Sequence, residues 1–289
     1  MSGKASLIVN GAGAVAALIV VGWIGASWLE TDEPEICEGR YPVATRFDLA
    51  SSSGEPVALS ELQARLGSSE WGLLENAKII GPDKGQDRPQ LAVALREGTG
   101  AGYKAGQARG GVGFTWLPMT MQEAAPNAAC LSYRVYFPAK FDFGDGGTLP
   151  GLSIGALFDP RGEPDLGQGA VVRPGWNKRG DAVVNVQYAA ADGWKNPPAV
   201  GSDVRWPAGR WVMIEQEVIL NDPGKKNGVV RFWLDGKFAG ENKKLGLRGD
   251  AGLAMAGVRA DVHYGSVLSL SVAPVDTQVR LTPFVVRWQ

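Results

Sequence analysis

The sequence predicts an all-β domain, a β-sandwich or jelly roll, preceded by one N-terminal transmembrane helix. Two observations predict the β domain: many short segments rich in β-branched and aromatic residues, and 40 glycines and 18 prolines spread along 289 residues. Spread glycines and prolines are typical of short strands joined by turns rather than of long helices. A long uncharged run near the N-terminus predicts the helix.

The uncharged run extends from Leu7 to Leu29 and is long enough to cross a bilayer as a helix. Lys4 precedes it and the acidic stretch ETDEPE follows it. This asymmetry predicts a short cytoplasmic N-terminus, residues 1–6, and a periplasmic or extracellular ectodomain. A cleaved signal peptide is the alternative, because residues 24–27, Ile-Gly-Ala-Ser, are mostly small.

Two cysteines fit this placement. Cys37 and Cys130 both lie on the predicted outer side, where disulfides form and persist. We therefore expect a Cys37–Cys130 disulfide, and two unpaired buried thiols are the alternative.

Charge and composition argue against two kinds of ligand. The formal net charge is -1 and no basic block is present, so nucleic acid is not an expected partner. His263 is the single histidine, which argues against a multi-histidine metal site. No motif requires a metal or a cofactor, and we expect neither.

The ectodomain divides by pattern into an N-terminal extension, residues 30–87, and a strand-rich region, residues 88–289. In the extension, SELQARLGSSEWGLL predicts one short helix with Ser60 as its N-cap. From Gln90 onward the pattern is one of strands bounded by turn residues, without the helical periodicity that a βαβ architecture needs. The predicted strands are LAVALRE, GVGFTWLP, CLSYRVYFP, GAVVRPGW, AVVNVQYAA, WVMIEQEVIL, GVVRFWLDG and SVLSLSVAP.

Alternation along two of these strands predicts which side chains share a face of a sheet. In AVVNVQYAA, Asn185 and Gln187 lie on one face and Tyr188 lies on the other. In WVMIEQEVIL, Glu215 and Glu217 form a polar face that we expect to be solvated. Such a polar face is either plain solvent surface or the floor of a cleft, and periodicity does not choose between them.

Several stretches resemble a known family. LSYRVYFPAKFDFGDGGTLPGLSIG resembles the strand-turn-strand of polysaccharide lyase family 14, which includes alginate and polyglucuronate lyases and is related to the glucuronan lyases of family 20. Gly110-Gly111-Val112-Gly113-Phe114 is similar to its Gly-Gly-x-x-Phe strand, and Arg173-x-x-Trp176 to its Arg-x-x-Trp. Trp211 to Glu217 and the stretch LNDPGKKNGVVRFWLDGK resemble further elements, in the same order.

The resemblance implies a concanavalin A-like jelly roll whose concave sheet holds a polyuronate chain. In it, FDFGDGGTLPGL is a strand that leads to the rim of the cleft and then turns at Leu149-Pro150-Gly151. Lyase β-elimination needs a group that neutralises the uronate carboxylate, a base for the C5 proton and an acid for the leaving oxygen. An anionic polysaccharide is therefore the expected partner.

Carried over position by position, most of the family's catalytic groups are replaced. Its Arg is kept as Arg173, and its Lys, Ser and two Tyr fall at Thr148, Val171, Asn185 and Gln187. Thr and Val cannot replace a Lys base or a Ser donor, and Asn and Gln can bind a carboxylate without acting as acid or base. The resemblance therefore implies that Thr148, Asn185 and Gln187 bind substrate.

The candidate catalytic residues are Arg173, His263 and Tyr188. Arg173 keeps the chemistry of the family's arginine, and an ordinary surface ion pair is the alternative. His263 could act as the base, because an unperturbed histidine pKa lies near neutrality, although a lone histidine is more often structural. Tyr188 matches the second family tyrosine when the alignment is shifted by one residue.

Trp176 and Trp194 are candidates for stacking on sugar rings, and Trp194, in a predicted loop, is the better placed. Packing within the sandwich is the alternative for both. The sequence thus predicts a membrane-anchored lyase-like protein that acts on a uronate-containing polysaccharide. Alternatives are a non-catalytic polysaccharide-binding protein of exopolysaccharide export or retention, and a glycoside hydrolase using Glu215 and Glu217.

Overall fold

A computed structural model describes residues 34–67, 70–83, 86–102, 106, 108–120, 126–155, 169–190, 193–265 and 271–289. Within it, Ile36–Gln289 form one compact unit. The anchor predicted for residues 7–29 lies outside the described residues. Across the described ranges, no helix is both long and apolar enough to cross a membrane.

The compact unit is a β-sandwich, which confirms the predicted all-β class. Its strands, in chain order, are β1 (Val43–Phe47), β2 (Glu70–Trp71), β3 (Ala77–Ile80), β4 (Gln90–Leu95), β5 (Gly113–Trp116), β6 (Ala128–Tyr136), β7 (Gly146–Thr148), β8 (Gly151–Ile154), β9 (Ala170–Asn177), β10 (Asp181–Ala190), β11 (Gly193–Lys195), β12 (Val200–Arg205), β13 (Trp211–Ile219), β14 (Gly228–Leu234), β15 (Lys237–Leu245), β16 (Met255–Arg259), β17 (His263–Tyr264), β18 (Thr277–Leu281) and β19 (Phe284–Trp288).

These strands form two antiparallel sheets that enclose a hydrophobic core between them. The first sheet has the order β15-β14-β13-β6-β18-β4-β3, and β19 joins β6 to β1. The second sheet has the order β11-β10-β9-β8-β16-β5-β2, with β12 beside β10 and β7 between β9 and β17. Strands β4, β5, β6, β9, β10, β13 and β14 match predicted segments, whereas most of SVLSLSVAP lies outside the described residues.

The predicted short helix is present, but its predicted cap is wrong. The helix spans Leu59–Leu66, its N-cap is Ala58, and no side chain caps it. Ser60 lies inside the first turn, two residues past the N-cap, and Leu62 of the same helix packs in the core. A second helical turn, Leu73–Asn76, follows.

The stretch predicted to turn at Leu149-Pro150-Gly151 continues along one neighbour instead. Both β7 and β8 pair with β9, with Thr148 opposite Gly175 and Leu152 opposite Val172. Three residues therefore face two across this gap, which is the arrangement of a β-bulge. Pro150 has no N–H for the ladder, so the chain bulges at this point without reversing.

Two side chains of the first sheet cross the core to this bulge. Gln216 of β13 donates from Nε2 to the Val172 carbonyl at 2.9 Å, and its Oε1 accepts from the Leu152 amide at 3.3 Å. The Tyr133 hydroxyl of β6 donates to the Pro150 carbonyl at 2.8 Å. Backbone groups that the bulge leaves inside the core thus obtain partners from the opposite sheet.

The N-terminal extension is part of the sandwich. Cys37 and Cys130 form a disulfide that ties a short 3₁₀ helix, Cys37–Arg40, to β6. Strands β1 and β3 pair into the first sheet. The boundary placed at residues 87 and 88 is therefore not a boundary of the fold.

Glu215 and Glu217 were expected to be solvated, and this expectation was wrong. Glu217 is 0% exposed and accepts hydrogen bonds from Tyr41 Oη at 2.6 Å and Arg231 Nη1 at 2.8 Å. Arg40 Nη2 forms an ion pair with the same carboxylate at 2.9 Å. The polar face of β13 is covered because the segment after Cys37 packs on it.

Replacing Gln216 by alanine should lower the free energy of unfolding by roughly 2–5 kcal/mol, because two buried backbone groups lose their partners and a cavity opens. The measurement is chemical denaturation of the disulfide-intact protein. Gln278→Ala, at an exposed position of β18, is the control and should change little. Equal effects of the two substitutions would contradict the role assigned to Gln216.

Candidate functional site

The outward face of the second sheet carries a compact group of buried charged and titratable side chains. We call it the Arg–Asp–His cluster, and its members are Arg173, Arg259, Asp261 and His263. Their chain neighbours, such as Val172 and Val262, belong to the hydrophobic core. Because side chains alternate along a strand, all four members point away from the core.

Asp261 is the centre of the cluster. Its Oδ2 lies 2.6 Å from Arg173 Nη1, and its Oδ1 and Oδ2 lie 2.9 Å and 3.0 Å from Arg259 Nε. Burial raises the pKa of Asp261, but the charges of Arg259 and Arg173 outweigh it and hold the pKa at about 2. One carboxylate thus faces two guanidinium groups, and the group has a net positive charge.

His263 lies beside this charge group and is neutral at pH 7. Burial lowers the pKa of His263 to about 4. The Asp261 charge raises this pKa, and the Arg173 charge cancels part of that increase. Its Nδ1 lies 3.1 Å from the Tyr264 carbonyl oxygen. Because a carbonyl only accepts hydrogen bonds, Nδ1 carries the proton, and Nε2 is the basic nitrogen.

Glycines of the motif Gly110 to Phe114 let neighbouring groups approach the cluster. A Cβ on Gly111, which has φ +81°, would collide with the Val262 carbonyl. A Cβ on Gly113 would lie 2.5 Å from Asp261 Oδ1 and would also collide with the Trp71 ring. These positions therefore need glycine so that β5 and β2 can close against Asp261.

Trp71 and Arg109 flank the cluster, and the sequence analysis missed both. The Arg109 guanidinium lies 3.7 Å above the Trp71 ring, a cation–π contact, and the Trp71 and His263 rings are 6.0 Å apart. Trp71 Nε1 is buried and has no hydrogen-bond partner in the part of the chain that the structure describes. No local pattern indicated Trp71, because only the pairing of β2 with β5 brings it here.

Arg259 and Asp261 were also missed, although a signal for them was present. They stand four and two residues before His263, so strand alternation carries all three to one face.

The predicted substrate-binding residues lie on the same face. Asn185 is opposite Arg173 and Gln187 is opposite Val171 in the pairing of β10 with β9. Thr148 is opposite His263, is 1% exposed, and donates its hydroxyl to the Gly265 carbonyl at 3.0 Å. The structure thus brings these positions together with the cluster, and their roles stay predictions.

Two other predicted site residues, Trp176 and Tyr188, do not lie on the outward face. Trp176 is 2% exposed, packs in the core against Phe137, and donates from Nε1 to the Phe143 carbonyl, so its ring does not reach the outward face. Tyr188 packs against the core, as alternation predicts. Trp194 lies in β11 rather than in a loop, opposite Ala189.

Metal-ligand residues come together at one place in the described ranges, where Cys37, Cys130 and Glu215 are neighbours. Both sulfurs belong to the disulfide, so they are not the thiolates that bind metals. Glu215 and Glu217 lie on the first sheet, away from Arg173, which removes the basis for a hydrolase that uses them there.

Comparison with known proteins gives a family and a set of similar folds. The family model described as Polysaccharide lyase 14 matches residues 83–281. The marine PL-14 alginate lyase from Aplysia kurodai is similar with a TM-score of 0.66 and 20% identity, over 86% of this chain and 99% of that chain. No curated protein sequence matches the chain.

Two further solved structures share the fold. Alginate lyase vAL-1 from Chlorella virus has a TM-score of 0.62 and 18% identity, over 80% of this chain and 97% of that chain. The endo-β-1,4-glucuronan lyase from the fungus Trichoderma reesei has a TM-score of 0.55 and 8% identity, over 86% of this chain and 96% of that chain. At these identities the similarity establishes the fold alone.

The low pKa of His263 predicts a pH dependence of stability. The unfolded chain takes up a proton at His263 near pH 6.5 and the folded chain only near pH 4, so acidification through this window favours unfolding. We expect the free energy of unfolding to fall by up to about 1.4 kcal/mol per pH unit there.

His263→Gln should flatten this slope, because the chain has no other histidine. Chemical denaturation of both proteins between pH 7 and pH 4 measures it. Asp261 is present in both proteins, so the loss of stability from its lowered pKa, which begins at about pH 5, is common to the two curves. Parallel stability curves for the two proteins would show that His263 is not held neutral by the fold.

Proposed function

Because the chain belongs to polysaccharide lyase family 14, we propose that it cleaves a uronate-containing polysaccharide by β-elimination on the outward face of the second sheet. The observation that carries this proposal is that a neutral histidine, His263, shares that face with the ion group of Arg173, Asp261 and Arg259. The similarity in fold to proteins named as alginate and glucuronan lyases supports the uronate substrate.

Charge is what the ion group contributes to the proposed reaction. A buried arginine is costly unless paired, and Asp261 pairs with both guanidinium groups at once. Two guanidinium groups paired with one carboxylate leave one net positive charge, which the carboxylate of the uronate can neutralise. Neutralisation of the uronate carboxylate makes the C5 proton acidic.

His263 is the base in this scheme. Its Nε2 takes the C5 proton, the electron pair forms the double bond between C4 and C5, and the bond from C4 to the leaving oxygen breaks. The proton held by His263 then passes to that oxygen, so one group serves as base and acid. Asn185 and Gln187 bind the sugar through their amides.

A second function, binding without cleavage, is favoured by a separate observation. The family's Lys, Ser and two Tyr are replaced by Thr148, Val171, Asn185 and Gln187, and the retained Arg173 already pairs with Asp261. In that case the same face holds an anionic polysaccharide during export or retention of an exopolymer.

We also propose that residues 7–29 anchor the protein in a membrane and that the β-sandwich works in the periplasm or outside the cell. The uncharged run with Lys4 before it supports this placement. So does the Cys37–Cys130 disulfide, because such bonds persist in oxidising compartments.

The first test is incubation of the disulfide-intact protein with alginate, glucuronan and other polyuronates, following the ultraviolet absorbance of new unsaturated uronate ends. Arg173→Ala and His263→Gln should each reduce the rate by roughly 10²-fold or more. Arg65→Ala, at an exposed helix position, is the control. No absorbance change with polysaccharide still bound in affinity electrophoresis would establish the binding function instead.

The pH profile of kcat/KM tests the base independently. Since the pKa of His263 is lowered to about 4, activity should persist at pH 5 and decline only as the pH approaches 4. A decline centred near pH 6.5, the value of an unperturbed histidine, would contradict the assignment.

A further inference from the structure

A second arginine-rich site lies on the other side of the sandwich, on the outward face of the first sheet. It is a cavity of about 510 Å³. We call it the arginine pocket, and its charged lining residues are Arg46, Arg88, Arg134, Arg287, Glu38 and Asp87.

Strand alternation places the arginine pocket opposite the Arg–Asp–His cluster. Arg134 stands in β6 between Tyr133 and Val135, and both of these neighbours belong to the core. Arg46 precedes Phe47, another core residue, in β1. The arginines therefore point outward from the first sheet, whereas Arg173 points outward from the second.

Two of the four guanidinium groups are already engaged. Arg287 pairs with Glu38 at 2.5 Å, and Arg88 lies 3.5 Å from Asp48. The side chains of Arg46 and Arg134, both exposed, make no hydrogen bond or ion pair within the described ranges.

An amide group of the pocket lining is a further hydrogen-bond donor without a partner among the described residues. Gln86 lines the same cavity, and its Nε2 is buried without a hydrogen-bond partner among the described residues. A buried donor without a partner costs free energy that a bound acceptor would recover.

The mixture of groups indicates the ligand. Guanidinium groups bind carboxylates through paired hydrogen bonds, and the carboxylates of Glu38 and Asp87 accept hydrogen bonds from hydroxyl groups. A ligand that carries both carboxylates and hydroxyls satisfies this lining, whereas a polyphosphate has no hydroxyl groups to donate to the two acids. The volume lies within the range of small-ligand sites.

We propose that the arginine pocket is a second binding site for a uronate oligosaccharide, separate from the candidate lyase face. The choice of uronate over other hydroxylated carboxylates rests on the proposed function. The pocket holds one segment of a polysaccharide chain on the face of the protein that performs no chemistry.

The test is calorimetric titration of the full chain, disulfide intact and carrying Arg173→Ala so that the ligand is not cleaved during the measurement, with a hexameric oligouronate from the best-bound polymer. Arg46→Ala/Arg134→Ala should weaken one binding event at least tenfold and, in the chain that keeps Arg173, leave cleavage of short oligomers unchanged. Lys140→Ala/Lys244→Ala is the matched control, since it removes the same charge from two exposed positions outside the pocket. A neutral hexasaccharide and inorganic phosphate are the ligand controls.

Arg173→Ala separates this inference from the proposed function. If the lyase face is inactive and Arg173→Ala leaves binding unchanged, binding that disappears in Arg46→Ala/Arg134→Ala still establishes the arginine pocket. Wild-type affinity in Arg46→Ala/Arg134→Ala would overturn the inference. So would an equal loss in the control pair, or binding of phosphate or the neutral sugar as tight as that of the uronate.

Discussion

The hydrogen bonds that cross the core to the bulge between β7 and β8 are the interactions on which the candidate site depends. A strand interrupted by Pro150 leaves carbonyl and amide groups inside an apolar layer, where an unpaired group is costly. Gln216 and Tyr133, from the opposite sheet, bind these groups. Because Gln216 holds the Val172 carbonyl, the next residue, Arg173, is fixed with its side chain outward.

Sequence patterns predicted the strands and the faces of their side chains, which depend on neighbouring residues. They failed for features that depend on pairing between strands distant in sequence. Apolar alternation located β13 and placed Asn185 and Gln187 on one face, because alternation is a property of a single strand. The bulge at Pro150 looked like a turn, since proline and glycine favour both, and only the shared partner β9 distinguishes them. Trp71 reaches the site through pairing at a sheet edge, which no local signal encodes.

The charge of the Arg–Asp–His cluster is set by the burial of its side chains and by their contacts with one another. Asp261 stays ionised because two arginines contact it, and His263 stays neutral because it is buried beside them. The charge of the cluster therefore hardly changes over the ordinary pH range. The arginine pocket is different in kind, because the exposed Arg46 and Arg134 are screened by solvent and salt.

The Cys37–Cys130 disulfide also decides how the domain carries mechanical load. Tension applied to the chain upstream of Ile36 reaches Cys37 before it reaches any strand, and the covalent bond passes it to β6. That strand lies inside the first sheet, hydrogen-bonded to β13 on one side and to β18 and β19 on the other. Tension on the upstream chain is thus delivered to the middle of the sheet, and the edge strand β1 is spared from being peeled away.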